Sequence, residues 1–300
     1  MISILQRLLS LGIPLLAFLL PWQTTYLSEE GKLGGLLGVW QYGTVQIFAI
    51  EIVILFLLAC GVLLAIKDSS YKKLSWLEAA VCSVLGATAL FSVLIAGEKL
   101  PALLAVLRLW EGMGVYWLMR TSSYSLGAVG FWWVAGALIQ SGMAIHQFAL
   151  QQIEANTWLG ISFHSSKALG DAVVENADTR WLRAYGSFPH PTILSMYLAF
   201  GLAWVFWFLH RVEKKITLYL LVVSSAVLSA GLFFTYSRDA WLSLGVAGIL
   251  LVGIAAQRFL QKKNREMDFS FFSPVLVGLL ACTITLTTLS FVWWDVLSVR

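Results

Sequence analysis

About nine stretches of this chain are continuously apolar over roughly the 20 residues that a helix needs to cross a bilayer. They run over Ile4–Leu20, Thr44–Ile66, Ser75–Ala96, Pro101–Met119, Ser125–Leu150, Thr192–Leu209, Ile216–Phe234, Ala240–Ala256 and Phe271–Trp294. In water, a chain of 300 residues has no interior large enough to hide so much apolar surface; a bilayer solvates it. The runs are unbroken and do not alternate, which excludes a porin-like barrel and gives no reason to expect strands. The expected fold class is therefore all-α: a polytopic helical bundle of about nine transmembrane helices. Composition points the same way, with 59% hydrophobic residues, 12% charged and 14 Trp, a side chain that settles at membrane interfaces. These figures exclude a soluble enzyme, a disordered chain and a coiled coil.

Orientation follows from Lys and Arg beside the spans. With the N-terminus inside, the inner loops hold twelve of them, in clusters such as Lys72-Lys73 and Lys262-Lys263. The outer loops hold seven, mostly single and set among acids. The first run has Arg7 ahead of an apolar stretch, as a signal peptide would. No small-residue cleavage site follows in Pro21-Trp22-Gln23-Thr24, so it reads as a retained helix. The net charge of +4 is loop bias and carries no nucleic-acid footprint. Cys60, Cys82 and Cys282 all lie inside apolar runs and read as small buried hydrophobes, with neither a disulfide framework nor a metal site expected.

No repeat and no soluble domain interrupts the pattern, so one transmembrane domain is expected over 1–300. Its longest polar stretch, 151–191, would be an outer loop, and long loops in compact proteins are often functional. That loop holds Trp158, Phe163, Trp181 and Phe188, aromatics expected to pack back over the bundle.

Ionisable residues inside spans are expensive and therefore informative. Arg108 and Glu111 lie three positions apart on one face of the fourth run, a spacing that reads either as a self-neutralising pair or as the lining of a cavity. Glu51 lies shallower in the second run and can be met by snorkelling or by a bond between helices. The fifth to ninth runs hold no Asp, Glu, Lys or Arg in their interiors, which weighs against an ion-coupled transporter.

Two outer segments concentrate the chemistry. The first is Arg180-Trp181-Leu182-Arg183-Ala184-Tyr185-Gly186-Ser187-Phe188-Pro189-His190-Pro191, which leads into the sixth run. Pro191 suits a first helical position. Arginines near a helix N-terminus, with its partial positive charge and free N–H groups, form an expected anion site. The second is Thr235-Tyr236-Ser237-Arg238-Asp239-Ala240-Trp241-Leu242, a turn opening the eighth run, with Ser237 or Asp239 as cap. Arg183 and Arg238 are expected to face one shared cavity, since both flank helix N-termini at the same membrane level. The plainer alternative pairs Arg238 with Asp239 and Arg183 with Asp178.

Together these segments resemble the O-antigen ligase and polymerase family. In that family an R-x-x-G-[ST]-F-x-[NH]-P-like loop enters one helix and an S-R-[GD]-A-[WL]-like turn opens the next but one. Leu20-Pro21-Trp22-Gln23-Thr24 after the first run is also similar. The resemblance implies a glycosyltransferase of the bacterial inner membrane, active at the outer face. It would take a glycan from undecaprenyl diphosphate to a lipid, saccharide or protein acceptor, without a metal or other cofactor. Its partners would be that lipid-linked glycan, the acceptor and membrane lipids. Carried over, Arg183 and Arg238 would bind the diphosphate, with Arg180, His190 and Tyr185 as further candidates. The family is larger, with about a dozen helices and a later outer loop bearing a catalytic His. That His is expected beyond residue 300, and the chain reads as an N-terminal portion. His164 is a substitute that no family motif supports. The competing reading is a transporter or flippase of a lipid-linked or anionic solute, with Arg108 and Glu111 along its path.

Overall fold

The computed structural model describes residues 2–29, 45–68, 73–175, 179–245, 248 and 273–293. It is mostly helical, and seven of its helices are long and apolar enough to cross a membrane. The chain is a multi-pass membrane protein. The described residues divide into two compact units, Met1–Val129 and Gly130–Arg300.

The first unit runs α1 (Ile2–Leu19), β1 (Thr25–Glu29), β2 (Val45–Phe48), α2 (Ala49–Lys67), α3 (Trp76–Ile95) and α4 (Lys99–Thr121). Its core is a seam of Leu5, Leu9, Ile13, Leu16, Leu57, Cys60, Leu64 and Leu118. The helices approach closely where side chains vanish: a Cβ on Gly12 would strike Leu57, one on Gly61 would strike Leu118, and one on Gly114 would meet Leu58 at 2.7 Å. Small residues at such crossings are the usual device of membrane helices, which gain little from hydrophobic burial against one another. The helix α3 starts with a capping box, Ser75 N–H donating to Glu78 at 2.8 Å and Glu78 N–H to Ser75 Oγ at 3.3 Å. The Glu78 carboxylate also accepts from Tyr116 Oη and Arg120 Nε, both at 2.7 Å, which ties the start of α3 to the end of α4.

Arg108 does not pair with Glu111, correcting the intrahelical expectation. Its Nε donates to Glu51 Oε1 at 3.0 Å and its Nη2 to the Gln46 carbonyl at 2.7 Å, with the guanidinium 4.9 Å over the Phe48 ring. Glu51 in turn accepts the Phe48 N–H at 3.1 Å and so caps α2. The fork reaches farther than a spacing of three along one helix and finds both a carboxylate and a carbonyl. Among the described residues, Glu111 takes part in no ion pair.

The second unit runs α5 (Leu126–Leu150), β3 (Gln152–Ile153), β4 (His164–Ser165), β5 (Val173–Glu175), β6 (Arg180–Leu182), α6 (Pro191–Leu209), α7 (Lys215–Phe234), a helical stretch at 238–245 and α8 (Ser273–Val292). Its core includes Ala137, Ala144, Leu194, Leu198, Val205, Leu228, Leu232 and Phe233, with α6, α7 and α8 packed mutually. The expected eighth span, Ala240–Ala256, lies largely outside the described residues.

The strands were not expected. They form three antiparallel two-stranded pairs, β1 with β2, β3 with β4 and β5 with β6, all between helices. The apolar runs carried no alternation because they are helices; the connections between them fold on themselves to pair their backbone groups.

Candidate functional site

The described residues between 151 and 190 fold against the end of their unit where α5 stops and α6 starts. Alternation along β6 sets this up. Leu182 points into a small core with Ile153 and Tyr185, while Trp181 stacks on Phe148 of α5 at 5.7 Å between ring centroids. Phe188 is buried as well. The packing expected of the loop aromatics thus holds for Trp181 and Phe188. It fails for Trp158, 86% exposed in the middle of the β3–β4 excursion, and for Phe163, 53% exposed beside the start of β4.

Beyond β6 the chain leaves regular structure, yet no backbone N–H from 182 to 188 is stranded. Leu182 N–H donates to Gln151 Oε1 (2.6 Å), Arg183 to the Ala172 carbonyl (3.1 Å), and Ala184 to the Phe234 carbonyl (2.9 Å). Tyr185 and Gly186 share Gln147 Oε1 (3.1 and 2.8 Å), Ser187 reaches Gln140 Oε1 (2.9 Å), and Phe188 closes on the Tyr185 carbonyl (3.1 Å). The amides also donate outward: Gln147 Nε2 to the Gly186 carbonyl at 2.7 Å and Gln140 Nε2 to Ser187 Oγ at 2.9 Å. Two glutamines of α5, Gln140 and Gln147, and Gln151 just past its end therefore hold the loop that carries Arg183, and sequence reasoning missed all three. A signal was there: 140 and 147 lie two turns apart on one face of an apolar span, and amides in such a span turn toward protein.

Gly186 has φ +60°, and a Cβ there would collide with Gln140 Oε1. The Gly-Ser of the motif is thus the shape of this clamp. His190 is the N-cap of α6, its Nδ1 accepting the Thr192 N–H at 3.2 Å, and Pro191 takes the first helical position as expected. The Ile193 and Leu194 N–H groups return to the His190 carbonyl at 3.1 and 3.4 Å. This corrects one expectation: the start of α6 contributes its dipole, but its first N–H groups are already taken.

The second segment closes α7. Thr235 N–H donates to the Leu232 carbonyl at 3.2 Å and Tyr236 N–H to Phe233 at 3.0 Å, with Tyr236 at φ +48°. Trp241 N–H then donates to the Ser237 carbonyl at 3.3 Å and opens the next helical stretch, so Ser237 holds the cap position.

The two segments meet. Arg183 Nε donates to the Thr235 carbonyl at 2.7 Å. Between them opens a cavity of about 430 Å³ lined by Val173, Val174, Glu175, Arg183, Thr192, Tyr236, Ser237, Arg238 and Asp239. Both arginines singled out in the sequence line this one space. Burial pushes the Arg183 guanidinium down from its usual value, offset in part by Tyr185; arginine nonetheless stays charged in proteins. Burial also holds His190 down, with the Arg183 charge adding to the effect, and holds the Tyr185 hydroxyl up. Arg238 is exposed and joins no ion pair among the described residues; Asp178 lies outside them.

Arg180 is engaged elsewhere. It sits across the β5–β6 ladder from Glu175, Nε to Oε1 at 2.8 Å, and its Nη2 donates to the Ala168 carbonyl at 3.2 Å. That pairing neutralises the acid at the cavity's edge. Among the described residues, the other charged side chains of the lining, Arg183, Arg238 and Asp239, join no ion pair. Tyr185, which is buried, and His190, which is exposed, are not part of the lining; their ring centroids are 6.5 Å apart. Two guanidiniums in one such space can receive an anion.

Comparison with protein-family models, with curated proteins and with solved structures finds no match.

Proposed function

We propose that this chain is a membrane glycan transferase of the O-antigen ligase and polymerase kind. It has its N-terminus inside and about nine spans in a bacterial inner membrane. Its donor is a glycan on undecaprenyl diphosphate, bound at the outer face. The observation that carries the reading is that Arg183 and Arg238, from two separate motifs, line one cavity.

The chemistry suits that arrangement. An acceptor hydroxyl attacks the anomeric carbon, and the bond to the diphosphate oxygen breaks. Negative charge grows on the leaving diphosphate. Arg183 is pre-oriented by its Nε bond to Thr235, which leaves its Nη groups for phosphate oxygens; Arg238 supplies a second fork. Thr192 and Ser237 add hydroxyls on the same wall. Fixed charges that need no rearrangement during the reaction lower the barrier most.

A transport reading put Arg108 and Glu111 along a path. Arg108 is instead committed to Glu51, Gln46 and Phe48, an arrangement that ties a helix to a hairpin. The deciding experiment replaces Arg183 or Arg238 with Ala in the living cell. A transferase leaves undecaprenyl-linked glycan accumulated at the outer leaflet; accumulation at the inner leaflet would establish a flippase and reject this reading.

A further inference from the structure

One residue in the wall of the cavity carries a polar group that the fold does not satisfy. We infer that Tyr236 is a further binding residue of this site, its hydroxyl donating to the phosphate oxygens of the ligand that Arg183 and Arg238 hold; this rests on the transferase reading and adds a third donor to its diphosphate site.

Tyr236 lines the cavity. Its Oη is shut off from solvent and, among the described residues, has no hydrogen-bond partner. A buried polar atom left unpaired is rare, because it has lost its bonds to water without replacing them. Tyr185 and Tyr197, buried in the same unit, show the ordinary case. Tyr185 Oη accepts the Ala172 N–H at 2.6 Å, and Tyr197 Oη donates to the Trp133 carbonyl at 3.5 Å.

The backbone is a second, independent sign. Tyr236 follows Thr235, the C-cap of α7, and has φ +48°. Glycine ordinarily takes this left-handed position at a helix end, and a side chain there is strained. Among the described residues, Gln151 is the other non-glycine with positive φ. Its side chain accepts the Leu182 N–H at 2.6 Å and donates to the Phe148 carbonyl at 2.7 Å, so bonds within the fold offset the strain. The Tyr236 hydroxyl makes no such bond.

Packing explains the ring but not its oxygen. The ring centroid lies 5.5 Å from that of Phe233 and 5.7 Å from that of Phe148. Phenylalanine, which the chain uses at 233 and 234, would make the same ring contacts without burying a hydroxyl. Position supplies the missing partner. Tyr236 stands between Thr235, whose carbonyl anchors Arg183, and Ser237 and Arg238, which line the same cavity. Burial holds the hydroxyl above the usual phenol range, so it stays protonated and meets an anion as a donor. Because the oxygen lies beneath the surface of the wall, the contact is made as the phenol turns toward the bound phosphate. It then exchanges ring contacts for a hydrogen bond to a charged group, which is among the stronger kinds.

The test is Tyr236→Phe in the detergent-solubilised protein. Binding of farnesyl diphosphate and of inorganic pyrophosphate is measured, together with the midpoint of thermal unfolding in the absence of either. Affinity for both compounds is expected to fall about tenfold or more, the scale of one hydrogen bond to a charged group. The unliganded midpoint is expected to stay the same or rise, since the variant removes an unpaired oxygen. A tyrosine with a purely structural role gives the opposite pair of results, a lower midpoint and unchanged affinity. Equal affinity in wild type and variant overturns the assignment alone. So does a lower unliganded midpoint, which would mean that the hydroxyl already has a partner in the fold, such as a buried water. A loss confined to one of the two compounds places the contact off the diphosphate they share and overturns it as well. Arg183→Ala and Arg238→Ala are measured alongside. If both bind as the wild type does, or if the wild type binds neither compound, the diphosphate site itself fails and the transferase reading fails with it.

Discussion

Arg183 donates from Nε to the carbonyl oxygen of Thr235 at 2.7 Å, so the loop bearing the first arginine is fastened to the turn that leads to the second. The bond does two things. It satisfies a carbonyl at the end of α7, and it fixes the plane of a guanidinium whose residue lines the cavity. The geometry of the proposed anion site therefore rests on the join between the two motifs.

Lysine at either arginine position should weaken binding of a lipid diphosphate by at least about tenfold, since one ammonium replaces a two-pronged contact. Arg183→Lys should also lower the midpoint of thermal unfolding, because it loses the Thr235 bond; Arg238→Lys, at an exposed position, should not. Titration of the detergent-solubilised protein with farnesyl diphosphate, alongside thermal unfolding, separates the two effects. Equal affinity in wild type and Arg238→Lys would return Arg238 to an interfacial anchor.

Gln147→Leu should be among the most damaging changes in the second unit. It strands the Tyr185 and Gly186 N–H groups and the Gly186 carbonyl in a buried place. Each lost partner costs about 1–3 kcal/mol, so a total near 3 kcal/mol or more is expected. Gln152→Leu, at an exposed position, should change stability by no more than about 0.5 kcal/mol. A similar melting temperature for the two variants would mean that the α5 amides do not hold the loop.

Gly186→Ala should destabilise more than Gly170→Ala. Both glycines have positive φ, +60° and +94°, but only at 186 would the new Cβ also meet a fixed neighbour, Gln140 Oε1; nothing lies within 4 Å of it at 170. Backbone strain of about 1–3 kcal/mol applies to both, with the collision added at one. Paired denaturation curves give the order, and an inverted order refutes the explanation offered for the motif glycine.

His190 links stability to pH. Burial and the Arg183 charge hold its folded pKa below the unfolded value of about 6.5. Above 6.5 both states are neutral there. As pH falls from 6.5 toward the lower folded value, the unfolded chain takes up a proton first, so stability is lost across that window. Protonation at Nδ1 would also break the cap to Thr192. His190→Asn keeps a capping oxygen and does not titrate, so thermal unfolding between pH 7 and pH 5 should fall less steeply than in wild type. Parallel slopes in the two proteins would exclude His190 as the source.

In the first unit, Glu51→Gln should cost more stability than the double change Glu51→Leu with Arg108→Met. The single change leaves a half-buried guanidinium without its carboxylate; the double removes both charges. Unfolding of the two variants in detergent measures this, and a less stable double variant would show that the pair is favourable in its own right.

Much of this was legible in the residues themselves. Continuous apolar runs can be little other than membrane helices, because the bilayer sets their length. Pro191 reads as a helix start because its ring fixes φ and removes a donor that the first turn has no use for. Arg183 and Arg238 stand out because each sits in a short polar motif beside a helix start, where a guanidinium and a helix N-terminus reinforce one another, although Asp178 and Asp239 lie close to them in sequence. The pairings were less legible. Arg108 has an acid one turn away, yet bonds Glu51 in another helix. The glutamines of α5 look like tolerated polar residues until the loop they hold is placed against them.

The sequence by itself determined where the helices run and which side chains must be explained, since apolar length and the cost of a charge are local properties of the chain. Only the tertiary structure decided the partners: Gln147 with the Gly186 loop, Arg180 with Glu175, His164 with Asp171, and Arg183 with Arg238 around one cavity. A hydrogen bond or a shared wall depends on which backbones pack side by side. That is set by helix crossings at small residues such as Gly201 and Gly231, where a Cβ would meet Ala137 at 2.9 Å or Ser141 at 2.6 Å. Such contacts join residues far apart in the chain, and no local pattern encodes them.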